Sequence, residues 1–188
     1  RSYATITVHG AAIVFFVFVA AQVRADRFRP ALYWATIIAT TTVGTTLADY
    51  ATRSLGIGYP GGSLLLLALL GASLWIWYRD TGTLDVASVN SDKSERYYWL
   101  TIMFSQTLGT ALGDWTADTA GLGYGGGVVV FVVLLALVAA AYYFTKISHV
   151  VLFWTAFVLT RPLGAVVGDL LDKPVDHGGL ALSRYTAS

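Results

Sequence analysis

Cysteine is absent from the 188 residues, so the chain has neither a disulfide framework nor a thiolate metal site. Charge is nearly as scarce. Asp, Glu, Lys and Arg together make up 12% of the chain, whereas an average soluble domain has about a quarter. So few charges cannot coat a water-soluble globule. The net charge is +1 and no basic stripe is present, which argues against a nucleic-acid partner. There is no phosphate loop, nucleophile motif or zinc-binding helix. The first apolar segment lacks a basic flank and a small-residue cleavage site, so it does not match a cleavable signal peptide.

What the chain does have is apolar length. Hydrophobic residues make up 56% of it, and the mean hydropathy is +0.64. The charges gather around Arg24, Arg27 and Arg29 and again between Asp80 and Arg96. Between such clusters run stretches long enough to cross a bilayer, for which about 20 mostly apolar residues are needed. Six spans are predicted, at Ser2–Val23, Ala31–Thr52, Pro60–Tyr78, Tyr97–Thr119, Gly127–Thr145 and His149–Leu171. The expected fold is all-α, a polytopic helical bundle whose main partner is the lipid bilayer.

A spacing rule runs through the chain. Trp34, Gly44 and Asp49 recur as Trp99, Gly109 and Asp114, and again as Trp154, Gly164 and Asp169, always ten residues and then five apart. Gly56-Ile57-Gly58-Tyr59-Pro60-Gly61-Gly62 returns 65 residues later as Gly121-Leu122-Gly123-Tyr124-Gly125-Gly126-Gly127. Each repeat therefore reads as a polar helix, a Gly-rich turn and an apolar helix. The polar helices are expected inside and the apolar ones against lipid.

The phasing divides a single transmembrane domain, 1–188, into 1–30 (the second half of a truncated repeat), 31–96, 97–148 and 149–188 (cut short at its C-terminal end). Leu180 to Ser188 read as the start of a further apolar helix, and the natural protein is expected to hold four repeats and eight spans. An even number of spans per repeat gives successive repeats one orientation, related by an axis along the membrane normal. Arg24, Arg27, Arg29, Arg79, Lys93, Arg96 and Lys146 fall on one side of the spans, against Arg1, Arg53 and Lys173 on the other. The first side is expected to be cytoplasmic. The Trp ends of the polar helices then face the cytoplasm and the Asp ends face outward.

Each part of the rule has a physical use. The tryptophans suit an interfacial aromatic belt. Gly44/Ala48, Gly109/Gly113 and Gly164/Gly168 are small-residue pairs four apart, which let helix backbones approach closely in lipid. Asp49, Asp114 and Asp169 sit in unfavourable places, because a carboxylate near a helix C-terminus opposes the macrodipole and carries a desolvation cost in the membrane. In one reading each Asp accepts hydrogen bonds from its own turn or from Thr45, Thr46 or Thr110, with Arg53 one turn from Asp49. In the other the carboxylates converge as a ring, line a polar cavity and attract a cation or exchange protons. Arg53 becomes Asp118 in the second repeat, which gives Asp114 a second carboxylate on its helix face, and Lys173 in the third. Thr41, Gln106 and Arg161 occupy equivalent positions and form an unequal polar layer, with Arg161 in need of a partner and Pro162 expected to bend its helix. His177, with Asp172 and Asp176, is a weaker metal candidate.

The Tyr33-Trp34 and Tyr98-Trp99 ruler, the turn from Leu55 to Gly62, and the run from Arg161 to Pro174 followed by Gly178-Gly179 resemble a prokaryotic family of multi-pass membrane proteins. Those proteins are built from four copies of a short repeat of unknown function. The resemblance implies helix pairs in a membrane, with the prokaryotic cytoplasmic membrane as location. It implies no activity, and no cofactor is assigned.

From the residues, the leading expectation is a transporter or channel for a small cation, either a metal ion or a proton. Its pathway would use Asp49, Asp114, Asp118, Asp169, Arg161, Gln106, Thr45 and Thr110. The alternative is a non-catalytic structural or accessory subunit, in an oligomer or a larger membrane complex. An enzyme is not expected. Leu112-Gly113-Asp114 resembles the Gly-x-Gly-Asp site of intramembrane aspartyl proteases, but Ala111 stands where the first Gly belongs.

Overall fold

The computed structural model describes residues 2–25, 27, 29–54, 56–119 and 121–182, without the side chains of 2–8, 53, 54, 118, 119 and 177. Among the described residues six α-helices follow one another: α1 Ser2–Val23, α2 Pro30–Asp49, α3 Gly58–Thr81, α4 Asp92–Asp114, α5 Gly123–Phe144 and α6 His149–Asp172. No strand occurs among the described residues. Among those residues three helices, α3, α5 and α6, are long and apolar enough to cross a membrane, and His9–Val23 of α1 forms a shorter apolar helix. α2 and α4 fall outside that group. The physical reason lies in their composition: threonines interrupt α2, and Ser105, Gln106, Thr107, Thr110 and Asp114 interrupt α4 beyond its charged first turn.

Local chemistry sets the helix ends. Pro30 starts α2, where its fixed φ and missing N–H cost nothing. Ser91 and Ser94 cap α4 reciprocally: the Ser94 N–H donates to Ser91 Oγ at 3.2 Å and the Ser91 N–H to Ser94 Oγ at 3.2 Å. Asp92 and Glu95 in the first turn of α4 complement its dipole. Gly82, left-handed at φ 75°, closes α3 by donating its N–H to the Tyr78 carbonyl at 2.8 Å. Across the α3–α4 connection, Asp80 Oδ2 accepts from Lys93 Nζ at 2.6 Å and from the Tyr97 hydroxyl at 2.8 Å. The hydrogen bond to Asp80 raises the pKa of Lys93.

The contacts divide the chain into two units, residues 1–107 and 108–188. In the first, α1 packs on α2, and Phe15, Val43 and Met103 form a core flanked by Ala12, Leu47 and Phe104. The interior of this unit is rich in hydroxyls, with Thr36, Thr40, Ser73, Thr101, Ser105 and Thr107 all buried. Ser73 and Thr101 join α3 to α4 by a 2.7 Å hydrogen bond. In the second unit α5 packs on α6, and Tyr124, Phe131 and Val166 form the core. The lipid-facing role expected of the apolar helices fits Leu64 and Leu67 of α3 and Val129, Val133 and Leu137 of α5, all of which are exposed.

Glycine governs the closest approaches. A Cβ at Gly44 would lie 3.0 Å from Gln106 Cβ and 3.2 Å from the Thr107 backbone nitrogen. At the equivalent Gly109 a Cβ would collide with Arg161 Cβ and lie 3.0 Å from the Arg161 carbonyl carbon. Gln106 and Arg161 are themselves equivalent positions, so α2 meets α4 by the same contact through which α4 meets α6. Gly113 sets its own close approach, 3.0 Å from Ala165 Cβ, while Gly164 and Gly168 meet nothing within 4 Å. The Gly-rich turns also repeat in detail. Gly56 and Gly58 (φ 72° and 67°) match Gly121 and Gly123 (φ 68° and 63°), a region where L side chains are strained.

Of Leu180 to Ser188, expected to begin a further apolar helix, the structure describes Leu180 to Leu182. Leu180 to Leu182 are non-helical, and the backbone N–H groups of Leu180, Ala181 and Leu182 donate to the carbonyls of Leu170, Lys173 and Leu171. The physical reason is carbonyl satisfaction, since the last turn of α6 leaves acceptors that this returning segment fills. Residues 183–188 lie outside the described residues.

Gly109→Ala is expected to cost about 2 kcal/mol through overpacking against Arg161. Gly164→Ala, in open space within a helix, is expected to be neutral or slightly stabilising. Unfolding of both variants in detergent, followed by circular dichroism, checks the contrast.

Candidate functional site

α2 ends at Asp49 and α4 ends at Asp114, and each carboxylate is the last α-helical residue before a five-residue π-helix, Tyr50–Ser54 or Trp115–Thr119. A π turn bonds i to i+5 and is uncommon, and it recurs at functional sites more often than chance. It was not foreseen from the sequence, and it appears at the same place in two repeats. The third repeat departs from this pattern, because α6 continues as α-helix past Asp169 to Asp172. The π turns also seat the apolar helices. A Cβ at Gly62 of α3 would lie 2.8 Å from Thr52 Cγ2, and one at Gly127 of α5 would lie 3.4 Å from Thr116 Oγ1.

Asp49, Asp114 and Asp169 are each half-buried. Asp49 belongs to the first unit, and Asp114 and Asp169 to the second. The side chains of Asp118 and Arg53 lie outside the described residues, and with them the Asp114/Asp118 and Asp49/Arg53 pairs.

The threonines near Asp49 act on their own helix. Thr42 donates to the Ile38 carbonyl at 3.0 Å, Thr45 to Thr41 at 3.0 Å, and Thr46 to Thr42 and Val43 at 3.2 and 3.0 Å. A hydroxyl has one hydrogen. In the reading in which Thr45 and Thr46 donate to Asp49, these carbonyls compete with the carboxylate for their hydroxyl hydrogens. Their oxygens keep acceptor capacity, and Thr45 is exposed. Thr110, on α4, is half-buried. Thr52 donates to the Ala48 carbonyl at 2.8 Å, and Thr116 to those of Leu112 and Gly113 at 3.0 and 2.9 Å. Both supply donors where the α ladder gives way to the π turn.

Two members of the polar layer meet directly. Gln106 Nε2 donates to Thr41 Oγ1 at 3.1 Å, joining α2 and α4 beside Gly44. Arg161, half-buried on α6, places its guanidinium 4.4 Å from the centre of the Phe157 ring. The buried Pro162 follows it inside the helix. His149 is exposed at 4.9 Å from the Tyr142 ring, His9, Asp172 and Asp176 are exposed, and the His177 side chain lies outside the described residues. Among the described residues no group of three or more His, Asp or Glu is placed to hold a metal ion.

The tryptophans divide. Trp34 is 62% exposed, as a belt residue would be, but Trp99 and Trp154 are 1% and 5% exposed. The belt reading is corrected for those two. Trp99 is enclosed by Tyr33 and Tyr98, with ring centres 5.7 and 5.3 Å away, and its indole N–H donates to Glu95 Oε1 at 3.3 Å. Tyr33 and Tyr98 are equivalent residues whose hydroxyls lie 3.5 Å apart. The duplication of Tyr-Trp was the sequence signal for this cluster, and a reading of each tryptophan as a separate anchor missed it.

The model of the family described as Repeat of Unknown Function (DUF347) matches the chain three times, over residues 32–83, 97–148 and 152–188. The chain belongs to this family. The matches cover the three Trp–Gly–Asp helices and the segments that follow them, and the family's description carries no activity. No curated protein and no solved structure matches the chain.

A double-mutant cycle of Thr41→Val and Gln106→Leu, measured on unfolding in detergent, is expected to return a coupling of about 0.5–1.5 kcal/mol, the range of interhelical hydrogen bonds in membranes. Additive losses would mean that the bond contributes nothing.

Proposed function

We propose that the protein is an integral membrane transporter or channel for a small cation, a metal ion or a proton, which passes along intramembrane carboxylates. The observation that carries this reading is the position of Asp49 and Asp114 at the α-to-π junctions of equivalent helices, with Asp169 at the matching point of α6. There a carboxylate adds its charge to the negative end of the helix dipole, and both favour a cation. The helix dipole opposes an acid at that point, yet one recurs there in three helices, and cation attraction supplies a use for it.

In this reading Asp49, Asp114, Asp118 and Asp169 are the charged stations, and Thr45 and Thr110 offer neutral oxygens. Gln106 and Arg161, at equivalent positions nearer the Trp ends, add polar groups to the pathway, with Arg161 as the internal counter-charge. The excess of Lys and Arg in the loops at the Trp ends supports a cytoplasmic placement of those ends and an external placement of the Asp ends. The resemblance to a prokaryotic family supports the cytoplasmic membrane of a prokaryote.

One observation favours a second reading, an accessory subunit within a larger membrane complex. Gly164 and Gly168 present an exposed small-residue face on α6 with nothing within 4 Å. A stable protein partner retained through detergent purification would support that alternative.

Proton flux and divalent-cation flux into proteoliposomes test the leading proposal. Asp114→Asn and Asp169→Asn are each expected to lower the flux of the transported ion at least tenfold, about 1.4 kcal/mol. Wild-type flux in both variants would refute the carboxylate pathway.

A further inference from the structure

At the Trp ends of α2 and α4 the first unit forms an open cavity of about 610 Å³. Its walls include Gln22 from the end of α1, Tyr33 from the start of α2, and Glu95, Tyr98 and Trp99 from the start of α4. Val86 and Val89 of the α3–α4 connection complete it, and that connection is held by Asp85, whose Oδ1 accepts the Ala87 N–H at 3.0 Å. The volume falls within the ~300–1,000 Å³ typical of small-molecule sites.

Three features of this cavity select the charge of an occupant. The half-buried Tyr33 and Tyr98 lie against the enclosed Trp99 as one aromatic cluster, and aromatic faces attract cations. Glu95 adds a carboxylate, one oxygen of which takes the Trp99 indole N–H. Gln22 is only 7% exposed, yet its Oε1 is buried with no hydrogen-bond partner. A buried acceptor left without a donor costs free energy, so a ligand that brings a donor recovers it. A hard metal ion such as calcium would need about six to eight oxygen ligands, whereas these walls are mostly ring and aliphatic carbon. Arg27, exposed, also lines the cavity, and its guanidinium suits an anionic group on the same ligand.

We propose that this cavity binds an organic ammonium group, with the cation among Tyr33, Tyr98, Trp99 and Glu95 and with Gln22 Oε1 as a hydrogen-bond acceptor. The ammonium belongs either to a small solute or to the headgroup of a zwitterionic phospholipid whose phosphate meets Arg27. The site stands apart from the carboxylates of the proposed ion pathway, because it lies at the other end of α2 from Asp49 and of α4 from Asp114. Either proposal can therefore fail without the other.

The test is equilibrium binding to the purified full chain in a maltoside detergent, with radiolabelled choline and ethanolamine as solute probes and short-chain dihexanoyl-phosphatidylcholine as the headgroup probe. Saturable binding of a solute probe assigns a solute site, and saturable binding of the lipid alone assigns a headgroup site. In either case Glu95→Gln is expected to weaken binding about tenfold. That variant keeps an acceptor for the Trp99 indole, so the fold is retained. Gln22→Met, matched in shape but without the acceptor, is expected to weaken ethanolamine or, where only the lipid binds, its phosphatidylethanolamine analogue, because a quaternary ammonium has no N–H to give. Arg27→Gln is expected to weaken the lipid and spare choline. No saturable binding of any probe, or binding indifferent to both Glu95→Gln and Gln22→Met at an unchanged unfolding midpoint, would overturn the proposal.

Discussion

Where α2 meets α4, and again where α4 meets α6, a glycine leaves so little room that the next helix's backbone lies within 3.2 Å of where a Cβ would stand. In lipid there is no water to drive apolar surfaces together, so close packing and hydrogen bonds carry helix association. Gly44 and Gly109 make that packing possible. The Gln106–Thr41 hydrogen bond sits in the first of these contacts and Arg161 in the second. The placement of the carboxylates depends on the same contact, since Asp49 and Asp114 stand five residues beyond their glycines, at the helix ends.

Below the carboxylates the chain changes its helical pitch. Each π turn receives a threonine hydroxyl on a carbonyl of the preceding turn, Thr52 on Ala48 and Thr116 on Leu112 and Gly113. The left-handed glycines that follow turn the chain back, and Gly62 and Gly127 let the apolar helix lie directly on the π turn. The unit of construction is thus larger than a helix pair. It is a polar helix, a widened turn, a reversed glycine pair and an apolar helix. The third copy keeps the polar helix and loses the widened turn. Its polar helix also carries Arg161 and Pro162 where the earlier copies carry Thr41-Thr42 and Gln106-Thr107.

The helix boundaries were legible in the sequence, because long apolar runs bounded by charge, proline and glycine leave little freedom. The start of α1, α6 and the ends near Asp49 and Asp114 fall within a few residues of where the pattern puts them. The π turns were not legible. Nothing in Tyr50–Ser54 or Trp115–Thr119 distinguishes i to i+5 bonding from an ordinary last turn, and the α3 and α5 helices that pack on these turns are features of the fold outside those segments. The tryptophans were misjudged for a related reason. Position along a helix suggests an interface, but only the neighbours of Trp99 decide that it is enclosed by two tyrosines and a glutamate. The threonine stripe was visible as a periodicity, whereas the direction of each hydroxyl depends on which acceptor lies within reach.

The contact between successive polar helices has a giving side and a receiving side. The row of Gln106 and Arg161 is given, and the row of Gly44 and Gly109 receives. A two-fold contact between identical faces saturates itself, whereas a head-to-tail link always presents one more socket than it has filled. On α6 that socket is Gly164 and Gly168, where main chain comes to the surface almost without side-chain cover. A lipid tail at that point would lie against bare peptide groups, the kind of boundary at which a bilayer is easily displaced by another helix.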